Sequence, residues 1–341
     1  MEPMIALEIE EDGGIFRHGA DKGEADAILD ELLDQRDNGR LPLTRYVAAL
    51  KTLVERHPDF IDGHAHLGSA LLEQGKPRLS LEACRRGLSI GQEAIPAEFC
   101  GAIEWGWIEN RPFLRAAQGV ALCHLKLGQR RQAIEMMERL LAWNPSDNQG
   151  IRFLIGSEHL RLGNTTKAAL LMNQEADHYP PYQYELALID LIAGRTIAAA
   201  TRLRRAFMAN GYVAEILCGT ADPLPLAIWH GSNLSEPETA VAYVEDYGDL
   251  WRSTPAAIPF LRWLHTHPKV LADRARVYGV KEELLWEHDP QRRRILLDQE
   301  ERFVAEIDDT LSKEIVVKRL DRHQRPVDPW LYPTGLSNQG A

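Results

Sequence analysis

Long apolar runs and paired cysteines are both missing from this sequence of 341 residues. No segment approaches the roughly 18 consecutive apolar residues that a membrane-spanning helix needs, so we expect no such span. The four cysteines lie far apart and form no C-x-x-C pair, which argues against a disulfide framework. The first residues, MEPMIALEIEEDGG, lack the basic stretch that begins a secretory signal, so we expect a cytoplasmic protein.

The sequence motifs of common enzymes are also missing. The chain contains no G-x-x-x-x-G-K-[ST] loop, no G-x-G-x-x-G turn and no G-x-S-x-G elbow. We therefore predict that the protein is not an enzyme, that it has no catalytic residues and that it needs no cofactor.

Positive charge is in deficit. The chain has 39 Lys and Arg residues against 50 Asp and Glu, a formal net charge of −11. Binding along a phosphate backbone depends on Lys and Arg, so this balance argues against a nucleic-acid-binding surface. A basic run at Arg292 to Arg294 has Asp289 and Asp298 close on either side, a pattern typical of a solvated helix face.

Two similar stretches follow one another between Arg115 and Pro180. Each has a small residue, a Gly, an Ala and a Pro at matching offsets of 35 residues. The first set is Ala121, Gly128, Ala133 and Pro145, and the second is Gly156, Gly163, Ala168 and Pro180. Four matches at one offset indicate tandem helical hairpins. Gly75 and Gly194 indicate further, less regular copies before and after them.

This spacing of small residues, Gly, Ala and Pro resembles the tetratricopeptide repeat, in which each unit is a helix, a tight turn and a second helix. The runs 130–148, 204–219 and 238–264 also look like bacterial tetratricopeptide proteins distantly similar to the suppressor of tumorigenicity 7 family. That second resemblance covers roughly residues 115–265, and it implies no active-site residues because the family has no assigned catalytic motif.

The resemblance implies an all-α fold, an α-solenoid of about four to five helical hairpins with an irregular helical C-terminal region. We expect an N-terminal arm with a short strand over residues 1–20. Repeats with an inserted segment at 91–112 follow over residues 21–211. We expect a C-terminal helical region over 212–322, containing one long helix from Pro290 to about Arg322, and a tail over 323–341.

The inserted segment 91–112 separates Gly75 from Gly128 by 53 residues, where a regular array would leave about 34. It carries Trp105 and Trp107 and is too apolar for a plain linker. Either it folds back and buries these rings against adjacent helices, or it lines a binding surface, where Trp is enriched.

First helices line a concave groove in tetratricopeptide arrays, so the resemblance implies a set of groove residues. Counted from the turn glycines, these include Arg115, Gln118, Lys126, Phe153, Arg161 and Tyr184. Such a groove would suit an acidic or C-terminal carboxylate peptide, because Arg pairs bidentately with carboxylates. The alternative is a solvated helix face whose basic residues pair within the chain, with Glu158 or Glu175.

The spacing of His64 and His66 is typical of metal ligands on a strand, but within a repeat helix the two side chains face apart. We therefore predict no metal site, and a metal-dependent hydrolase is the least favoured hypothesis. The favoured function is a non-enzymatic scaffold or adaptor that binds a peptide or partner protein in its concave groove. The alternative is a regulatory or specificity subunit that docks through Trp105, Trp107 and the C-terminal helices. The sequence does not indicate the oligomeric state.

Overall fold

A computed structural model describes residues 5–11, 13–19 and 22–331 of the chain. The chain divides into two compact units between Glu158 and His159. Helix α7 (Arg152–Arg161) contains this boundary. Each unit is described by itself below, as the first unit and the second unit.

The first unit is a β-hairpin followed by consecutive helices. Its elements are β1 (Ile5–Glu10), β2 (Gly13–His18), α1 (Lys22–Asp37), α2 (Leu43–Arg56), α3 (Ile61–Glu73), α4 (Pro77–Glu93), α5 (Arg111–Lys126) and α6 (Arg130–Trp143). Helix α3 packs against both α4 and α5, and α5 packs against both α4 and α6. Each hairpin therefore buries its apolar face mainly on its neighbours, as expected for a repeat array.

The second unit continues with helices and ends in a short hairpin. Its elements are α8 (Thr165–Glu175), α9 (Pro180–Ile192), α10 (Thr196–Ala209), α11 (Gly211–Cys218), α12 (Pro237–Ser253), α13 (Ala257–His265), α14 (Pro268–Trp286), α15 (Pro290–Ala305), α16 (Asp309–Ile315), β3 (Arg319–Leu320) and β4 (Pro326–Val327). Helix α10 is the centre of this unit, since α9, α13, α14 and α16 all pack against it. Tyr332, which belongs to the predicted tail, lies outside the described residues.

The fold class is all-α, a solenoid-like array of helical hairpins, and the strands of the described residues form only two-stranded hairpins. The turn glycines explain the sharp reversals between paired helices. All four have a left-handed backbone, a conformation that glycine adopts without steric cost. Their φ angles are +71° at Gly75, +72° at Gly128, +77° at Gly163 and +74° at Gly194.

Close helix packing in the first unit depends on missing side chains around Cys84 of α4. A Cβ added to Gly68 of α3 would lie 2.1 Å from the Cys84 Sγ atom, and one added to Gly119 of α5 would lie 2.4 Å from it. The thiol thus fills a notch that two glycines leave open. Cys84 and Cys123 are buried free thiols.

Two predicted boundaries differ from the structure. Helix α4 ends at Glu93 and α5 begins at Arg111, with Pro112 in its first turn where proline is favoured. The insertion between these α-helices is therefore residues 94–110, and it ends in a 3-10 turn, Ile108–Asn110. The long helix predicted from Pro290 to about Arg322 is wrong, since α15 ends at Ala305 and β3 begins at Arg319. The break has a local cause: the Asp308 carboxylate accepts from the Thr310 backbone N–H and caps α16.

No helix among the described residues is long and apolar enough to cross a membrane.

Two single glycine substitutions should have opposite effects on the free energy of unfolding. Gly68→Ala forces a methyl group against the Cys84 sulfur and should lower the free energy of unfolding by about 2 kcal/mol. Gly279→Ala, on an exposed part of α14 with no atom within 4 Å of the added Cβ, should raise it by about 1 kcal/mol. Urea unfolding of both variants measures the two changes. An unchanged midpoint for Gly68→Ala would contradict the packing described.

Candidate functional site

The insertion, residues 94–110, is fixed to the first unit at its middle and at its C-terminal end. Ile103 is fully buried, and its backbone N–H donates to the Trp143 carbonyl at 2.6 Å. The Trp105 N–H donates to Asn144 Oδ1 at 3.2 Å. These bonds hold the middle of the segment against the end of α6.

Asn110 anchors the other end of the insertion and is itself fully buried. Its Oδ1 accepts from the Phe16 backbone N–H at 3.0 Å, and its Nδ2 donates to the Gly14 carbonyl at 3.0 Å. Nδ2 also lies 3.1 Å from the Glu104 carbonyl, which accepts a second bond. One amide therefore joins the insertion to strand β2 and closes the insertion on itself.

Two guanidinium groups lie over the ring of Trp105. The Arg111 Cζ is 5.5 Å from the centre of its ring, and the Arg115 Cζ is 5.8 Å from it, both within the range of cation–π attraction. Arg111 Nε also donates to the Trp105 carbonyl at 3.1 Å. The predicted site residues Trp105 and Arg115 are thus brought together by the first turns of α5.

Arg115 makes an ion pair within the chain. Its Nη1 donates to both carboxylate oxygens of Asp62 on α3, at 2.7 and 2.8 Å, and lies 3.5 Å from His66 Nε2. Burial lowers the pKa of His66 despite the nearby Asp62 carboxylate, so this imidazole stays neutral at neutral pH. The alternative of an internal pair is therefore correct for Arg115, although its partner is neither Glu158 nor Glu175.

Arg115 nevertheless keeps donors that no described residue accepts. Only Nη1 of Arg115 bonds to Asp62. Its Nε and Nη2 atoms make no hydrogen bond within the described residues. The Arg115 side chain remains 33% exposed. A second carboxylate can therefore approach Arg115 from solvent.

Trp107 and Ile108 face solvent at the tip of the insertion, with exposed fractions of 48% and 64%. The alternative in which the insertion buries both tryptophan rings is therefore wrong for Trp107. We use the name insertion patch for Trp105, Trp107, Ile108, Arg111 and Arg115.

Three more predicted groove residues lie in the first unit. Gln118 exchanges hydrogen bonds with Gln149, whose Nε2 donates to Gln118 Oε1 at 2.8 Å. Lys126 is exposed at the end of α5, and Phe153 is half-buried near the start of α7. Gln118 follows Arg115 by one helical turn, whereas Lys126 lies at the far end of the same helix.

Tyr184 was predicted to face a partner, and this prediction is wrong. Tyr184 is fully buried in the second unit, and its hydroxyl donates to the Asn210 carbonyl at 2.6 Å. Its ring packs edge-on to Trp251 of α12, with centroids 6.3 Å apart. Helix α12 covers the face of α9 that the repeat pattern assigns to a groove.

Arg161 is held by the same helix. Its guanidinium pairs with Asp249 at 2.5 Å, donates to the Asp246 carbonyl and lies 4.6 Å from the Tyr247 ring centre. The prediction that Arg161 is available to clamp a carboxylate is therefore wrong, since its side chain is 14% exposed and its guanidinium already bonds to α12.

His64 and His66 contact different partners. His64 Nε2 lies 2.9 Å from the Pro58 carbonyl oxygen, whereas His66 is beside Asp62 and Arg115. Over the described ranges, no group of three or more His, Cys, Asp or Glu side chains is arranged to hold a metal ion.

The second unit has a cleft of about 1090 Å³ between α9, α10, α14 and α15. Most charges that line it are satisfied within the chain. Lys281, 5% exposed, donates to the Met208 carbonyl at 2.8 Å and pairs with Glu300 at 3.4 Å, and burial lowers its pKa. Arg202 pairs with Asp190 at 2.8 Å. These two cations of the cleft are therefore already paired within the chain, and the insertion patch is the stronger candidate site.

Pattern reasoning identified the two tryptophans of this site but missed two polar residues that position them. The sequence carries no signal that Asp62 pairs with Arg115, and none for Asn110. Both act on residues far along the chain: 53 positions separate Asp62 from Arg115, and 94 separate Asn110 from Phe16. Periodicity within one helix cannot reveal such pairs.

The sequence model of the Tetratricopeptide repeat matches residues 114–147, which are most of α5, the turn at Gly128 and α6. Residues 114–147 therefore match one copy of this repeat. No curated protein matches the sequence. The resemblance to proteins distantly similar to the suppressor of tumorigenicity 7 family stays a prediction.

Among solved structures, the chain is similar to a tetratricopeptide repeat protein from Parabacteroides merdae ATCC 43184. The identity is 15%, the match covers 82% of this chain and 99% of that chain, and the TM-score is 0.45. This is a general similarity of helical architecture, from which nothing about a partner follows.

Removing the Asn110 amide should destabilise the first unit. Asn110→Ala leaves the Phe16 N–H and the carbonyls of Gly14 and Glu104 without this partner in a buried place, which should cost about 2–4 kcal/mol. Urea unfolding measures the change. Asn148→Ala, at an exposed position, is the control and should stay within about 0.5 kcal/mol of the wild type. Equal effects of the two substitutions would show that Asn110 has no such role.

Proposed function

We propose that this protein is a non-enzymatic interaction scaffold that binds a partner protein through its insertion patch. The observation that carries the proposal is the exposure of Trp107 and Ile108 on a segment whose flanking residues Ile103 and Asn110 are fully buried. Tetratricopeptide repeats generally serve protein–protein interaction, and the insertion is where this array departs from a regular repeat.

Rigid display of large apolar side chains favours binding. Burying an aromatic side chain removes a large apolar area from water, and Trp is among the residues that dominate binding energies at interfaces. The insertion is already ordered by Asn110 and Ile103, so little conformational entropy remains to be lost on binding. An exposed tryptophan on a preorganised segment is thus suited to be an interface anchor.

The charges of the insertion patch indicate what the partner segment carries. Arg111 and Arg115 both lie over Trp105, and Arg115 has two donor groups that no described residue accepts. A carboxylate next to an apolar side chain would satisfy both parts of the patch, because guanidinium groups bind carboxylates with paired hydrogen bonds. The proposed partner is therefore an acidic or C-terminal segment with an apolar residue beside its carboxylate.

A regulatory or specificity subunit of a larger complex remains the second form of this hypothesis. It would use the same insertion patch, and the partner would then be a component of that complex. The identity of the captured protein separates the two forms, since the contact itself is common to both.

Truncating the exposed apolar pair should abolish partner capture. Trp107→Ala with Ile108→Ser should lower enrichment of the partner by at least about tenfold, because hot-spot truncation costs about 2 kcal/mol or more. Quantitative affinity enrichment from the source organism, with wild-type and variant baits compared, measures this loss. Leu79→Ser, at a 48% exposed position on α4, is the matched control and should enrich the same partner as the wild type. A partner retained equally by all three baits would exclude the insertion patch.

Substitutions in the Asp62–Arg115 pair should have opposite effects on the captured partner. Asp62→Asn removes the competing internal charge and should tighten binding about threefold or more, whereas Arg115→Gln should weaken it about tenfold. Titration calorimetry with the purified partner measures both affinities. Weakening by both substitutions would contradict a carboxylate contact at Arg115 and would indicate a structural role for the pair.

A further inference from the structure

Strand β1 is paired along one edge only. It runs antiparallel to β2, with Leu7 opposite Phe16 and Ile9 opposite Gly14. Its other edge makes no hydrogen bond within the described residues. An unpaired edge of this kind is a template for another strand.

The bonds to the outer edge of β2 show which groups of β1 point outward. The Gly14 N–H donates to the Ala102 carbonyl at 2.8 Å. The Asn110 side chain accepts from the Phe16 N–H and donates to the Gly14 carbonyl. Gly14 and Phe16 thus direct their backbone groups away from β1. Opposite residues of an antiparallel pair either both point inward or both point outward. The N–H and carbonyl groups of Leu7 and Ile9, and by alternation those of Ile5, therefore lie on the open edge.

We infer that this edge pairs with β1 of a second copy of the chain, antiparallel and centred on Leu7. In this register Leu7 lies opposite Leu7 of the second copy, and Ile5 lies opposite Ile9 in both directions. All three residues have outward-pointing backbone groups, so each pair can exchange both of its N–H···O bonds. The two hairpins together form a four-stranded sheet, which is more stable than isolated two-stranded ribbons.

The charges of β1 favour this register, and they favour β1 of a second copy as the pairing strand. Glu8 lies opposite Ala6 of the second copy, so no two carboxylates face each other. A pairing centred on Glu8 would place Glu8 directly opposite its own copy, which is unfavourable. The centred register also covers Ile9, 54% exposed in the single chain, with Ile5 of the second copy. The strand is thus complementary to itself, as a two-fold symmetric contact requires.

Sedimentation of the full chain should detect the pair. An interface of one strand pair is small, so we expect a weak dimer whose mean mass rises from 38.5 kDa toward twice that value with concentration. Measurements up to about 200 µM cover the range expected for weak contacts. A chain that stays monomeric throughout this range would overturn the inference.

Ile9→Pro tests the edge itself. Proline removes the outward N–H of Ile9 without removing a bond to β2. Edge strands accept proline at positions of this kind, where the N–H faces away from the sheet. The dissociation constant should rise at least about tenfold, whereas Ile9→Val, which keeps the N–H, should leave it within about twofold. A dimer unaffected by Ile9→Pro would place the contact elsewhere and overturn the inference.

Ala6→Glu separates the dimer contact from the stability of the hairpin. Within one chain residue 6 lies opposite Arg17, which already pairs with Glu8, so the new carboxylate shares that cation and should leave the stability of the hairpin nearly unchanged. In the dimer it lies opposite Glu8 of the second copy and should weaken association about tenfold, an effect that added salt reduces. Unchanged or tighter association in Ala6→Glu would contradict the proposed register.

Discussion

The buried amide of Asn110 is the interaction on which the special features of the first unit depend. It bonds to the backbone of β2 at two places and to the Glu104 carbonyl inside the insertion. Unpaired buried backbone groups are costly, so these three bonds together specify one arrangement of the hairpin, the insertion and the start of α5. The bonds of Ile103 and Trp105 to the end of α6, and of Ala102 to Gly14, add to this constraint.

Two surfaces follow from this one arrangement. On one side the insertion is fixed so that Trp107 and Ile108 stay exposed while Trp105 lies under Arg111 and Arg115. On the other side Asn110 occupies the outer edge of β2 and leaves only the edge of β1 open. A tetratricopeptide array usually offers its concave groove. In this chain the proposed surfaces are the irregular segments added to the array.

The periodic part of the fold could be predicted from sequence because its signals are local. Turn glycines such as Gly128 and Gly163 mark left-handed turns, and small residues at fixed offsets mark close helix contacts. The site was predicted less well. Counting from turn glycines assigned Tyr184 and Arg161 to a groove, but α12 covers that face in the second unit, and no repeat pattern predicts where a non-repeated helix packs. The partners of Arg115 and Phe16 were missed because polar pairs across 53 and 94 residues leave no periodic trace.

The central claim is that the insertion and β2 form one cooperative element through Asn110. Native-state hydrogen exchange of the wild-type protein in low urea tests it most directly, because segments that open together exchange with one free energy and one urea dependence. We predict that the Phe16 amide of β2 and the Ile103 and Trp105 amides of the insertion open in a single step. Rapid exchange at Ile103 and Trp105 while Phe16 stays protected would contradict the claim.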